Sequence, residues 1–161
     1  MLRECIAVSS GLTTATTAYT SGDQMGNALT FSGAATVVGG SGVILGAVAV
    51  DESAVLGAFD LVLFAAAPIG AGDNNPATFG ATIARTSEGV ISFAAANLVN
   101  IGANIVGTVL PVSGGQPFSL ANSLLTVPTA DLSGILIART ANAVFAGGAT
   151  SVRIKLLIQD M

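Results

Sequence analysis

The chain has 161 residues, of which 52% are hydrophobic and only 9% are charged, and its formal net charge is −4. A chain of this length typically forms one domain with a full hydrophobic core, and so apolar a composition excludes intrinsic disorder. The five basic residues are scattered along the chain, which excludes the clustered basic surface that nucleic acids require.

Glycine-rich turns divide the chain into short runs rich in Val, Ile, Leu, Phe and Thr. Runs of this kind at regular spacing are typical of the strands of an antiparallel sandwich or barrel. In chain order, the predicted strands are residues 5–9, 29–32, 42–50, 57–64, 78–84, 89–93, 105–112, 123–127, 134–139 and 151–159. Residues 65–76, which include Pro68 and Pro76, form a predicted loop between two of them.

The last predicted strand has the clearest alternation. Every second residue from Val152 to Ile158 is apolar, and the positions between them include Arg153 and Lys155. Strict alternation of this kind predicts a strand with one buried face. With about ten short strands and no amphipathic segment of helical length, we predict an all-β antiparallel sandwich, a jelly roll in preference to an immunoglobulin-like fold.

The first part of the chain is predicted to lie outside the main sandwich domain. Residues 11–18 are a low-complexity run of small residues, which is typical of an extended arm or linker. We therefore divide the chain into an N-terminal strand or arm at residues 1–18 and a β-sandwich domain at residues 19–161.

The residue types of common catalytic and metal sites are scarce in this sequence. It contains no His, one Lys and one Cys, and Cys5 lies in an apolar run. These counts exclude a His-based catalytic triad and an ordinary zinc site. Asp51 and Glu52 are adjacent, so on a strand they would point to opposite faces and could not act as a glycosidase pair. We predict a protein that is not an enzyme and that holds no metal or cofactor.

Two further segments allow more than one interpretation. Residues 73–76 (DNNP) offer oxygen atoms that could bind Ca²⁺, but a turn rich in Asn and Asp has the same composition for structural reasons. Residues 89–112 are long enough to cross a bilayer. Three Asn and two Gly residues interrupt that stretch before Pro111 closes it, so we expect strands and turns there and no membrane contact.

The low fraction of charged residues also predicts an assembly. An average soluble domain has about 25% charged residues, and free monomers rely on surface charge to stay in solution. A chain with so few charges stays soluble more readily when its uncharged surface is covered in a permanent complex. We therefore expect a homo-oligomer, or a protein docked on a larger body.

Several motifs resemble the sequences of small virion structural proteins of tailed phages, a group of capsid decoration (cement) and head-fibre proteins. The first motifs are residues 19–26 (YTSGDQMG), 29–31 (LTF), 34–35 (AA) and 39–44 (GGSGVI). The later ones are residues 60–64 (DLVLF), Pro68, Asp73, Asn74, a hydrophobic strand at residues 132–138 and a final strand that ends at Asp160. The resemblance covers most of residues 19–160.

This resemblance implies a β-sandwich that binds the major capsid protein, often as a homotrimer. On that basis we expect a decoration protein that lies on the exterior of the virion capsid and stabilises the head. The low-complexity arm and the first motif supply the residues expected to contact the capsid or a neighbouring subunit, which are Leu12, Thr13, Thr14, Tyr19 and Asp23.

Three alternatives stay open from the sequence. A head-fibre or receptor- and glycan-binding module would share the fold, and it would need an exposed polar aromatic residue, for which Tyr19 is the only candidate. A small hydrolase is disfavoured by the missing His. A pilus-like surface subunit would ordinarily carry a secretion signal, and we expect none in the first residues.

Overall fold

A computed structural model describes residues 1–9, 18–52, 55–68, 70–110, 115–121, 129–140 and 152–161. The strands are β1 (Leu2–Ser9), β2 (Gln24–Phe31), β3 (Ser41–Asp51), β4 (Phe59–Phe64), β5 (Ser87–Phe93), β6 (Leu98–Asn100), β7 (Ile105–Val109), β8 (Gln116–Ser119), β9 (Leu132–Ala138) and β10 (Val152–Asp160). The helical segments described are α1 (Ala81–Ala84) and a 3-10 turn at Ala95–Asn97. The predicted all-β fold is confirmed.

The strands form two sheets that pack face to face, and all the pairings described are antiparallel. The six-stranded sheet has the order β1-β10-β3-β7-β6, and β8 pairs with another part of β3. The four-stranded sheet has the order β2-β9-β4-β5. The chain is therefore an antiparallel β-sandwich, as the spacing of its apolar runs predicts.

One hydrophobic core lies between the two sheets, and both sheets contribute large side chains to it. The four-stranded sheet supplies Phe31, Phe59 and Phe93, all of which are buried. The other sheet supplies the large residues Ile44 and Leu156 together with the small residues Ala47 and Ala49 of its central strand β3. Large and small side chains together fill the space between the sheets at the density typical of protein interiors.

A glycine of β7 shows how closely the two sheets approach. A Cβ atom built on Gly107 would lie 3.2 Å from a ring atom of Phe93, which belongs to the opposite sheet, and 2.6 Å from Leu98 Cδ2. The Phe93 ring is itself held by stacking on Phe59, with ring centroids 4.6 Å apart. Glycine is therefore used here for close approach of the backbone to an aromatic ring.

Eight of the ten predicted strands are found, with ends displaced by at most five residues. The predicted strand at residues 123–127 lies outside the described residues. The short strands β6 and β8 are not predicted, because three or four residues are too few to show alternation.

The predicted strand at residues 78–84 is wrong, because Ala81–Ala84 form the single helical turn α1. The backbone N–H of Ala84 donates to the Gly80 carbonyl at 3.0 Å, and that of Arg85 donates to the Ala81 carbonyl at 3.2 Å. Alanine favours the helical conformation. A segment that lies over a sheet, and not beside its edge strand, has no neighbouring strand with which an extended backbone could form hydrogen bonds.

The connection between β4 and β5 folds over the outer face of the four-stranded sheet. Its Phe79 packs against Phe64, with ring centroids 5.2 Å apart. Its Gly70 lies so close to the Gln24 amide that a Cβ atom would overlap it. Ile135, which points to this outer face opposite Val62, is completely buried. The connection therefore covers the part of this outer face around Phe64 and Ile135, whereas Val90 on β5 is 49% exposed.

Residues 89–112, the stretch long enough to cross a bilayer, form β5, the 3-10 turn, β6 and β7 up to Val109. The loop character of residues 65–76 is also found, apart from a single bridge between Pro76 and Asp23. No helix within the described ranges has the length and apolarity needed to span a membrane.

A cluster of charged groups ties the first and last strands to the connection between β2 and β3. Arg3 donates from Nη2 to Asp160 Oδ2 at 2.9 Å and from Nη1 to the Gly33 carbonyl at 2.7 Å. A hydrogen bond from Thr36 and the charge of Arg3 hold the pKa of Asp160 below its ordinary value, despite an opposing effect of partial burial. The carboxylate form of Asp160 is thus favoured by the fold.

We expect Gly134→Ala to lower the free energy of unfolding by about 1–3 kcal/mol, because overpacking a core costs that much. An added Cβ at Gly134 would lie 2.8 Å from Leu61 Cδ1 and 3.2 Å from Phe31 Cε2. Urea denaturation measures the change. Gly80→Ala is the matched control, because nothing lies within 4 Å of its Cβ position. An equal loss in both variants would contradict the packing argument.

We expect Asp160→Asn to destabilise the protein near neutral pH, with a penalty that fades in acid. The pKa of Asp160 is lower in the folded protein than in the unfolded chain. The carboxylate therefore stabilises the fold at pH values above the unfolded Asp pKa of about 3.9, and this stabilisation is lost as the pH falls through the folded pKa. Thermal denaturation of both proteins across this range measures the difference. The control is Glu4→Gln, whose carboxylate is solvent-exposed, 3.4 Å from Lys155. A penalty for Asp160→Asn that is independent of pH would refute the assignment.

Candidate functional site

The first motif of the sequence forms a structural junction between β2 and the loop that follows β4. Tyr19 Oη donates to Asp73 Oδ1, and the backbone N–H of Gly26 donates to the same oxygen at 2.6 Å. Gly26 has a φ of 70°, at a point where the register between β2 and β9 shifts. Asp73 therefore holds an irregular stretch of β2 in place. The positive φ at position 26 explains why the motif contains a glycine there.

Asp23 closes the turn that precedes β2. Its Oδ2 accepts hydrogen bonds from the backbone N–H of Thr20 at 2.7 Å and from Thr20 Oγ1 at 2.8 Å. Gly22, between them, has a φ of 98°, which glycine adopts readily. This is the side-chain-to-backbone bonding that makes Asp common in turns.

These placements bear on the five residues predicted to contact the capsid or another subunit. Tyr19 is 1% exposed and Asp23 is 6% exposed, and the polar groups of both are bonded within the chain. Their burial argues against direct contacts by these two side chains. Leu12, Thr13 and Thr14 lie outside the described residues, so their contacts stay a prediction.

The acidic pair at the end of β3 divides between the two faces, as adjacent residues on a strand must. Glu52 is exposed and lies 3.4 Å from Arg153. Asp51 is fully buried, and its Oδ2 accepts hydrogen bonds from the backbone N–H groups of Val55 and Leu56, both at 2.9 Å. Asp51 therefore organises the chain after β3 and is no partner for Glu52 in catalysis.

The other candidate chemical groups have structural surroundings. Burial raises the pKa of the Cys5 thiol, which keeps it protonated and unreactive. Asp73, the carboxylate of the possible Ca²⁺ segment, binds Tyr19 and Gly26. Within the described ranges, no three or more His, Cys, Asp or Glu side chains are grouped so that they could hold a metal ion.

A hollow of about 330 Å³ lies at one end of the four-stranded sheet, where β4 begins and β5 and β9 end. Its polar lining includes Asp60, Ser92 and Arg139. Arg139 Nε lies 3.0 Å from Asp60 Oδ2, while Asp60 Oδ1 is buried without a hydrogen-bond partner among the described residues. This volume is at the lower end of the range for small-molecule pockets.

The outer face of the six-stranded sheet is the most unusual surface of the molecule. The strand register directs these side chains away from the core: Leu2, Glu4, Ile6, Val43, Val48, Val50, Val99, Val106, Thr108, Arg153, Lys155, Leu157 and Gln159. An antiparallel sheet with one face in water normally alternates apolar residues inward with polar residues outward. Here most of the outward residues are apolar as well.

Exposed apolar side chains are distributed across the whole width of this outer face. Ile6 on the edge strand β1 is 57% exposed, and Val99 on the opposite edge strand β6 is 58% exposed. Leu110, which follows β7, is 78% exposed. A shallow depression of about 230 Å³ lies between the edges, where Gly46 has no side chain and Leu110 and Leu157 form the walls. Because monomeric proteins rarely expose large apolar patches, this face is the candidate interaction surface of the molecule.

We expect Asp51→Ala to lower the free energy of unfolding by about 2–3 kcal/mol, because it leaves two backbone N–H groups without their charged acceptor. Chemical denaturation measures the loss. The adjacent Glu52→Ala is the matched control, and we expect it to cost less than about 1 kcal/mol, since its ion pair with Arg153 is exposed. Similar losses in the two variants would show that Asp51 does not have this role.

Comparison with known proteins adds no family to this description. No protein-family model matches the chain, and no curated protein sequence matches it.

Proposed function

We propose that this protein is a capsid decoration protein of a tailed phage, which binds the outer surface of the major capsid protein shell as a homotrimer and stabilises the head. The proposal is supported by the motif resemblance, by the order of the strands and by the charge-poor composition. The strand order carries most of the argument.

Five of the eight strand pairings described are nested, which supports a jelly roll. β1 pairs with β10, β2 pairs with β9, β3 pairs with β7 and β8, and β4 pairs with β5. This is the pattern that arises when one long antiparallel hairpin, with its tip between β4 and β5, is rolled into two sheets. Jelly rolls of this kind are common in viral capsid and lectin domains.

The composition fits a protein that works as part of a shell. Only 9% of the residues are charged, and an apolar outer sheet face is left uncovered by the described part of the chain. Each contact that a decoration protein makes with a capsid is modest, but repetition over a symmetric shell multiplies weak contacts into strong overall binding. The added interface area resists the pressure of packaged DNA.

The head-fibre or glycan-binding alternative has less support from the arrangement of side chains. Its sequence argument depended on Tyr19 as an exposed aromatic platform for a sugar ring. Tyr19 is buried, and its hydroxyl group is bonded to Asp73. We therefore favour binding to the capsid over binding to glycans.

The test is whether the chain is a component of the particle. We expect antibodies to the chain to detect it in gradient-purified particles from the virus that encodes it, at a constant ratio to the major capsid protein. Particles stripped of the chain should release DNA at a lower temperature than complete particles, and adding the purified protein back should restore the difference. Detection of the chain only in the soluble fraction would refute the proposal.

A second experiment tests the arm contacts. Because β1 (Leu2–Ser9) is part of the six-stranded sheet, the variant should keep residues 1–9 and replace only residues 11–17 with a Gly-Ser linker of equal length. We expect this variant to fold normally and to bind stripped particles at least about tenfold more weakly. Replacing the exposed Val37 and Val38 with Ser is the control. Unchanged binding of the linker variant would rule out Leu12, Thr13 and Thr14 as capsid contacts.

A further inference from the structure

The two outer faces of the sandwich differ in a way that calls for a partner on one of them. The connection between β4 and β5 covers part of the four-stranded sheet, with Phe79 packed on Phe64 and Ile135 fully buried. No segment within the described ranges plays this part for the six-stranded sheet, whose Ile6, Val99 and Leu110 are all more than half exposed. The apolar centre of one outer face is therefore covered by the chain itself, and the apolar residues of the other face are open.

The size of this open face matches that of a stable protein interface. Five neighbouring strands spaced about 4.8 Å apart, each contributing about seven residues at roughly 3.3 Å per residue, give a face on the order of 600 Å². Specific interfaces bury about 800 Å² of accessible surface on each partner, and the accessible area of a corrugated sheet exceeds its flat projection. One partner that covers the face would thus form an interface of ordinary size.

The charges on this face favour a second copy of the same chain over a charged partner. The face and its margin carry two acidic and two basic side chains, paired as Glu4 with Lys155 and Glu52 with Arg153, each at 3.4 Å. The nine acidic and five basic residues of the chain leave an excess of four acids, and all of that excess lies elsewhere on the molecule. Two such faces therefore approach each other without net repulsion, while the excess of acidic groups elsewhere on the molecule opposes other contacts between copies.

We propose that the outer face of the six-stranded sheet is the surface through which copies of this chain associate with one another. The depression at Gly46, walled by Leu110 and Leu157, receives an apolar side chain of the neighbouring copy. The inference goes beyond the capsid proposal and does not depend on it, because self-association can be measured without any capsid.

The test introduces acidic residues into the centre and edge of the face. We expect the wild-type protein to run in size-exclusion chromatography with light scattering as a multiple of its 15.7 kDa chain mass. The double variant Ile6→Glu/Leu110→Glu should be monomeric, with self-association weakened at least about a hundredfold, because the added carboxylates of two copies repel one another across the interface. Circular dichroism should be unchanged, since both side chains are exposed.

The matched control is Val37→Glu/Val38→Glu, which makes the same two changes at apolar residues that are 64% and 66% exposed in the connection between β2 and β3. We expect its mass to equal that of the wild type. A monomeric wild type, or an acidic face variant that keeps the wild-type mass, would overturn the inference. Failure of capsid binding with normal self-association would instead count against the proposed function alone.

Discussion

The structure depends on one hydrophobic core that forms between the two sheets. Phe31, Phe59 and Phe93 enter it from the four-stranded sheet, and the six-stranded sheet contributes Ala47, Ala49 and larger residues such as Leu156. The two sheets must stay close for these groups to exclude water, because protein interiors are packed as densely as organic crystals.

The most recognisable polar residues of the sequence have mainly structural roles. Tyr19, Asp23 and Asp73 fix the entry into β2 and its irregular register, and Asp51 organises the chain that follows β3. A buried carboxylate is tolerated in these positions because backbone N–H groups donate to it. The motif that suggests a virion protein thus describes how the fold is built, whereas the proposed interaction surface consists mainly of valines, leucines and isoleucines.

The difference between the two outer faces connects the fold to the proposed function. A nested sandwich has two inner faces that bury each other and two outer faces that need water or another cover. In this chain the long connection between β4 and β5 covers part of one outer face, and apolar residues of the other face are exposed. A protein with so few charges is suited to an assembly in which such a face is permanently buried.

Composition and alternation by themselves determined the all-β class, the positions of most strands and the absence of His-based chemistry, because these depend on local residue types and on the two-residue period of a strand. They did not determine which strands pair, since pairing joins residues as distant as Leu2 and Gln159. Nor did they show that Asp51 is buried and the adjacent Glu52 exposed, or that Ile135 is buried and Ile6 exposed. Only the tertiary structure decided those differences, because exposure depends on what the rest of the chain places over each residue.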